Sequence, residues 1–181
     1  AEAKNATLVH NDINVANLVN VEGKAIKYND FNVAVTLRWN KTRPCGFPIR
    51  FQNKLWKSPE EIQNKTYASE KTDIYALGNV LFQVLTRHQP WTWLEPDGQL
   101  SPDDVAQRKL AGGFPHFPPK VTQSPELAVA GLYRGTLACL MPDPEKRPSA
   151  YQLADGFRQI IEWIDDNKQV AVSELGEFFV V

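Results

Sequence analysis

Apolar and polar positions change rhythm twice along the 181 residues. From Thr7 to Leu37 the pattern is short, β-rich and broken by turns. Thr7-Leu8-Val9 and Leu18-Val19-Asn20-Val21 read as strands, and Glu22-Gly23-Lys24 reads as a turn into Ala25-Ile26-Lys27-Tyr28, which makes a hairpin. Phe31 to Leu37 alternates and reads as a further strand. From Arg38 to Lys57 no period is sustained. Pro44, Gly46 and Pro48 interrupt it, and Arg38, Lys41, Arg43, Arg50, Lys54 and Lys57 make it basic. A long irregular loop is expected there, either simply solvated or able to grip an acidic peptide or a phosphate.

Beyond Ser58 the period becomes helical. Ser58-Pro59-Glu60-Glu61 combines a capping residue, proline at the first helical position and early acids, so a short helix starts there. Between Ser69 and Arg87, residues Ile74, Leu77, Val80, Leu81, Val84 and Leu85 recur at steps of three and four. That predicts a long helix with a wide apolar face, buried nearly all round. Ser101-Pro102-Asp103-Asp104 opens another helix that ends near Gly112-Gly113. Pro125 to Leu140 and Ser149 to Ile164 read as two more, with Pro115, Pro118 and Pro119 in a connector. One α+β domain over residues 1–164 is expected, followed by a tail over 165–181 that ends in Phe178-Phe179-Val180-Val181.

Composition narrows the classes. Apolar residues are 43% of the chain, enough for a packed core and too many for a disordered one. Lys and Arg number 20 against 21 Asp and Glu. That balance argues against nucleic acid and anionic membrane as partners. No apolar run approaches the ~20 residues of a membrane span. Cys45 and Cys139 are too few for a disulfide framework and read as free thiols in a reduced, cytoplasmic compartment. Three Asn-x-Thr patterns, at Asn5, Asn40 and Asn64, read as chance matches to a glycosylation signal. His88 and His116 read as surface or loop residues, and the abrupt start at Ala1 reads as that of a fragment or a processed chain.

Acids and amides gather near the N-terminus: His10-Asn11-Asp12, then Asn17, then Asp30-Phe31-Asn32. Asp12 and Asn17 flank a tight loop after a strand, and Asp30 follows the return strand of the hairpin. A hairpin brings its ends together, so Asn17 and Asp30 can face one site. Their oxygens are hard ligands suited to Mg²⁺, which takes one or two protein ligands and fills its shell with water and phosphates. Asp12 remains as a carboxylate able to orient or accept a hydroxyl proton. Asp and Asn are equally ordinary turn residues, and spacing alone leaves both readings open.

Further motifs in order weigh against chance. His10-x-Asp12-x-x-x-x-Asn17, Asp30-Phe31-Asn32 and Ser58-Pro59-Glu60 resemble the catalytic loop, metal-binding triad and segment-closing triad of eukaryotic-type protein kinases. Asp73 through Gly78 resembles the start of that family's buried central helix, and Asp143 to Pro148 its arginine-bearing turn. The resemblance covers roughly residues 7 to 164. It implies the mostly helical C-terminal lobe of a kinase, built around the central helix, with a small β-hairpin region at its N-terminal end. It also implies ATP and Mg²⁺ as cofactors and a protein or peptide as substrate. By the same resemblance Asp12 is the catalytic base and Asn17 and Asp30 are the metal ligands. Val19 lies under the adenine, and His10 and Phe31 form a supporting pair. Asp73 holds the catalytic-loop backbone, and Glu60 and Arg147 form a buried ion pair.

The departures from the family pattern are specific. Asn11 stands where the family usually has Arg, Asn14 where Ser/Thr kinases have Lys, and Ala16 where tyrosine kinases carry Arg. The loop therefore lacks the cation expected beside a transferred phosphate. Asn32 replaces Gly and is expected to take its positive φ. Ser58 replaces Ala, and Trp56 is similar to a Trp that tyrosine kinases carry nearby. No Gly-rich phosphate loop and no Val-Ala-x-Lys strand precede Asn5, so the N-terminal lobe is expected as a missing partner and the chain by itself as inactive. The rival expectation is a pseudokinase that keeps the fold as a scaffold.

Overall fold

A computed structural model describes residues 6–49, 53–63, 68–92, 98–166 and Leu175. Its first part is three small antiparallel pairs. β1 (Leu8–Val9) pairs with β4 (Val35–Thr36), β2 (Leu18–Val21) with β3 (Ala25–Tyr28), and β5 (Trp39–Asn40) with β6 (Arg43–Pro44). The β2–β3 turn works because Glu22 and Gly23 both take positive φ, at 52° and 69°, which matches the twist of the two strands.

Two expectations change here. The alternation from Phe31 to Leu37 is a strand only at Val35–Thr36, because the Ala34 N–H turns back to the Phe31 carbonyl at 3.1 Å. The stretch from Arg38 to Lys57 is not irregular throughout. It begins with the β5–β6 hairpin, whose turn uses Lys41 at φ 55°. That hairpin escaped the pattern because two-residue strands carry no period and no glycine marks the turn. It is held from outside: the Trp39 Nε1–H donates to the Ala6 carbonyl at 2.6 Å. Leu37, Phe47, Val9 and Ala68 form a small core under it. Among the described residues the basic side chains differ in setting. Arg38, Lys41 and Arg43 are exposed, Lys57 is buried, and Lys54 pairs with Asp103.

The helical part follows the sequence closely. α1 (Pro59–Ile62) starts at Ser58, whose N–H and hydroxyl both donate to the Glu61 carboxylate, at 2.9 and 2.7 Å. α2 (Lys71–Thr86) ends where Arg87 turns left-handed at φ 64°. α3 (Pro102–Leu110) and α6 (Ala150–Asp165) begin with capping boxes at Ser101 and Ser149. α5 (Leu127–Cys139) lies against α2, and α6 against α5. The proline connector contains a further helical turn, α4 (Pro119–Thr122), seeded by Pro119 at its first position.

α2 is buried at Ile74, Tyr75, Gly78, Asn79, Val80 and Phe82, but Val84 is 60% exposed. Burial therefore stops short of the full circumference. The main core joins Ile74, Ala130, Cys139, Leu153 and Ile160, and Leu175 is buried in it. The Phe178–Val181 stretch and the patterns at Asn5 and Asn64 lie wholly or partly outside the described residues. Cys45 is exposed and Cys139 buried, both as free thiols; His116 is exposed and His88 half-buried.

Candidate functional site

The site grows from one carboxylate on the central helix. Asp73, in the first turn of α2, accepts the His10 N–H at Oδ2 (2.6 Å) and the Asn11 N–H at Oδ1 (2.9 Å). Burial pushes its carboxyl up to about 6, against the opposing pull of those two donors. Asn11 is buried and left-handed at φ 63°, a conformation that asparagine tolerates better than most residues. The His10 ring is anchored as well. Its Nε2 lies 3.0 Å from the Asn29 carbonyl, which can only accept, so that nitrogen carries the proton. The ring meets Phe31 at 4.7 Å and Tyr28 at 5.7 Å between centroids. The His10–Phe31 pair is thus in contact, although Phe31 is 52% exposed.

Asp12 follows directly on this clamp. Asn14 caps the 3₁₀ turn Val15–Asn17, accepting the Ala16 and Asn17 N–H groups at Oδ1, 2.9 and 3.3 Å away. Its Nδ2 reaches Asp12 Oδ1 at 3.1 Å, and Asn17 Nδ2 reaches Asp12 Oδ2 at 2.9 Å. Asn17 also donates to the Asp12 carbonyl at 2.9 Å. The hairpin then closes the circle, since the Asn29 N–H donates to the Asn17 carbonyl at 2.8 Å. Asp30, the next residue, takes φ 60°. Positive φ therefore falls on the acid of the Asp30-Phe31-Asn32 triad, two residues before Asn32 and directly after the Asn29 N–H that bonds to the Asn17 carbonyl.

Hydrogen bonds set Asn17 against Asp12, and Asn29, the neighbour of Asp30, against the Asn17 carbonyl. Val19 lies on β2 opposite Lys27 and is 40% exposed. No group of three or more His, Cys, Asp or Glu side chains gathers among the described residues. Oxygen donors here are sparse: Asn17 spends its amide nitrogen on Asp12 and keeps its Oδ1, and Asp30, next to the Asn29 that bonds to the Asn17 carbonyl, carries a carboxylate. Such a set fits Mg²⁺ held mainly by phosphates and water.

The second charged centre lies behind this site. Arg147, fully buried, donates through Nη1 to Glu60 Oε1 at 2.6 Å and through Nη2 to Glu60 Oε2 at 2.8 Å. It also reaches the carbonyls of Lys71, Met141 and Pro142, and it lies over the Tyr75 ring at 4.9 Å. A buried ion pair is favourable only when its remaining donors are satisfied, as they are here. A cavity of about 530 Å³ opens beside it between the β5–β6 hairpin, α1 and the turn at Pro144. Among the residues singled out by sequence, Asn40, Arg43, Pro44, Cys45 and Glu60 line it.

One residue escaped the sequence reading. Lys109 of α3 is 1% exposed and donates to the carbonyls of Lys54, Leu55 and Lys57, at 3.1, 2.7 and 2.8 Å. Its ammonium faces the Tyr75 ring at 5.1 Å and the Trp91 ring at 6.0 Å. It ties the segment leading into α1 to α3. The available signal was its register: with Val105 and Ala106 it falls on the buried face of α3.

Comparison with known proteins gives this geometry its context. A family model described as protein kinase domain matches residues 4–156. The serine/threonine-protein kinase STY17 of Arabidopsis thaliana is 26% identical over 163 residues, covering 90% of this chain and 25% of that protein. Mitogen-activated protein kinase kinase kinase 1 of Arabidopsis thaliana is 30% identical over 149 residues, 80% of this chain and 21% of that protein. The receptor-type guanylate cyclase Gyc76C of Drosophila melanogaster is 27% identical over 149 residues, 80% of this chain and 10% of that protein. The chain spans a quarter or less of the length of these relatives.

Proposed function

Because this chain belongs to the protein kinase domain family, we propose that it forms the large, C-terminal lobe of a catalytic domain. In this reading the protein carrying it transfers the γ-phosphoryl group of ATP to a hydroxyl of a protein or peptide. Asp12 accepts the hydroxyl proton. Asn17 Oδ1 and the Asp30 carboxylate hold Mg²⁺, which neutralises charge on the phosphates when bound. Val19 lies beneath the adenine, and an N-terminal lobe covers the nucleotide from above.

The observation that carries the reading is the clamp from Asp73 to His10 and Asn11, with Asp12 immediately beyond it. Two ordered backbone N–H groups fix the direction in which Asp12 leaves the chain, and phosphoryl transfer depends mainly on such positioning. A scaffold that binds without transferring is the second reading. It is favoured by Asn14, since residues 10–18 contain no Lys or Arg.

The test is phosphotransfer by the full-length protein with radiolabelled ATP and a generic protein acceptor. Asp12→Ala, Asn17→Ala and Asp30→Ala each lower the rate at least tenfold, and Asp30→Ala also weakens Mg·ATP binding by calorimetry. Full turnover by Asp30→Ala overturns the metal assignment. Binding of Mg·ATP without any transfer by the unmodified protein favours the scaffold.

A further inference from the structure

Asn14 is chemically unlike a cation, yet it is not idle in the loop. Its amide can point only one way. Oδ1 is taken by two backbone N–H groups of the 3₁₀ turn, so Nδ2 must face Asp12. From there it donates to both Oδ1 and the carbonyl of Asp12, at 3.1 and 3.2 Å. Asn17, at the other end of the same turn, takes Asp12 Oδ2 and the same carbonyl, each at 2.9 Å. Asp12 is therefore held between two amides that sit on one three-residue turn. Each carboxylate oxygen has its own donor, and rotation about the side chain would break both bonds together.

We propose that Asn14 is a positioning residue for Asp12: its amide sets the orientation of the carboxylate by hydrogen bonding, at a place where the loop carries no cation. The inference rests on Asp12 being the base. It goes further by assigning a role to a residue that otherwise counts only as a missing charge. One side chain both caps the turn that carries Asn17 and orients Asp12, so the two are set by a single group.

Substitution can separate the two duties. Asn14→Ser keeps a good cap but is too short to reach Asp12. Asn14→Asp keeps the cap and the shape but turns an oxygen toward Asp12 Oδ1, replacing attraction with repulsion. In the full-length protein, Asn14→Ser lowers kcat about tenfold, leaves KM for ATP within twofold, and leaves thermal stability near that of the unmodified protein. Asn14→Asp falls further and gains an additional acid-side limb in its pH–rate profile. A purely structural role predicts that both variants keep wild-type kcat, and that result overturns the proposal.

Carboxyl ¹³C NMR of the unmodified protein and of Asn14→Ser supplies a readout independent of turnover. The Asp12 signal moves while that of Asp30 stays in place. If the unmodified protein transfers no phosphoryl group, the kinase reading fails. The Asp12 signal then still decides whether Asn14 orients that carboxylate, and an unmoved signal overturns the proposal in either case.

Discussion

Asp73 sets the backbone at His10 and Asn11 with a single side chain, and asparagine cannot copy it. The amide offers one oxygen and would turn its NH₂ toward a backbone N–H. Asp73→Asn should therefore speed hydrogen exchange at the His10 and Asn11 amides at least tenfold, with little change elsewhere on α2. Unchanged protection would mean that the clamp does not restrain the loop. Its pH signature has a defined sign. Burial raises the folded-state value to about 6 from the ordinary 3.8, so the folded protein holds a proton that the unfolded chain has released. Stability from this group is complete below about pH 3.8 and is lost as pH rises through about 6. Glu60 and Arg147 obey a different rule. Glu60→Gln leaves a buried guanidinium without its counter-charge and should cost ~3–5 kcal/mol in chemical denaturation. The double variant Glu60→Leu/Arg147→Met should recover at least half of that loss, since two apolar groups need no partners. Failure to recover would show that the carbonyl contacts of Arg147, rather than the pair, hold the junction.

At the scale of elements, the α2–α5 and α5–α6 contacts depend on missing side chains. A Cβ on Gly78 would stand 2.8 Å from the Cys139 Cβ, an atom fixed by its own helix, and 2.9 Å from Leu140. A Cβ on Gly131 would meet the Ile160 Cδ1 at 2.7 Å, the movable tip of a side chain. Both positions are helical, where Gly→Ala gains ~1 kcal/mol of propensity. At Gly78 the backbone must shift, and overpacking of ~1–3 kcal/mol outweighs that gain. At Gly131 the tip of Ile160 gives way and the two effects nearly cancel. Gly78→Ala is thus expected to lower the denaturation midpoint clearly, and Gly131→Ala to leave it almost unchanged. Equal effects would mean that α5 slides as a unit.

Across the whole molecule, the buried cation Lys109 makes stability depend on pH. Burial lowers its ammonium to about 7 from the ordinary 10.5, so the unfolded chain binds the proton more tightly. The group's contribution is fully favourable above about pH 10.5 and is lost as pH falls through about 7. Cys139 opposes this at higher pH. Burial raises its thiol to about 12 from 9.0, and stability from it is lost as pH rises between those values. The clean window is therefore pH 7 to 9. There the unmodified protein should gain stability by up to ~1.4 kcal/mol per pH unit relative to Lys109→Met, measured by denaturant titration at each pH. Parallel curves would show that Lys109 keeps an ordinary proton affinity, through water reaching the three carbonyls it caps.

The sequence by itself determined the helices, because their apolar period, prolines and capping residues act within a few positions of one another. It also determined the order of the loop motifs, and with it the family and the identity of Asp12, Asn17, Asp30 and Asp73 as residues to watch. Tertiary structure decided the rest, wherever the deciding partner is remote. Lys109 is buried because carbonyls 52 to 55 residues earlier receive it, and the β5–β6 hairpin forms because the Ala6 carbonyl receives Trp39. The left-handed turn falls on Asp30 rather than Asn32, at the corner where Asn29 closes on Asn17 and holds the His10 ring. Asn14 shows the division within one side chain. Its cap on the following turn is a local matter readable from sequence, whereas its second bond exists only because Asp73 has already aimed Asp12 toward it.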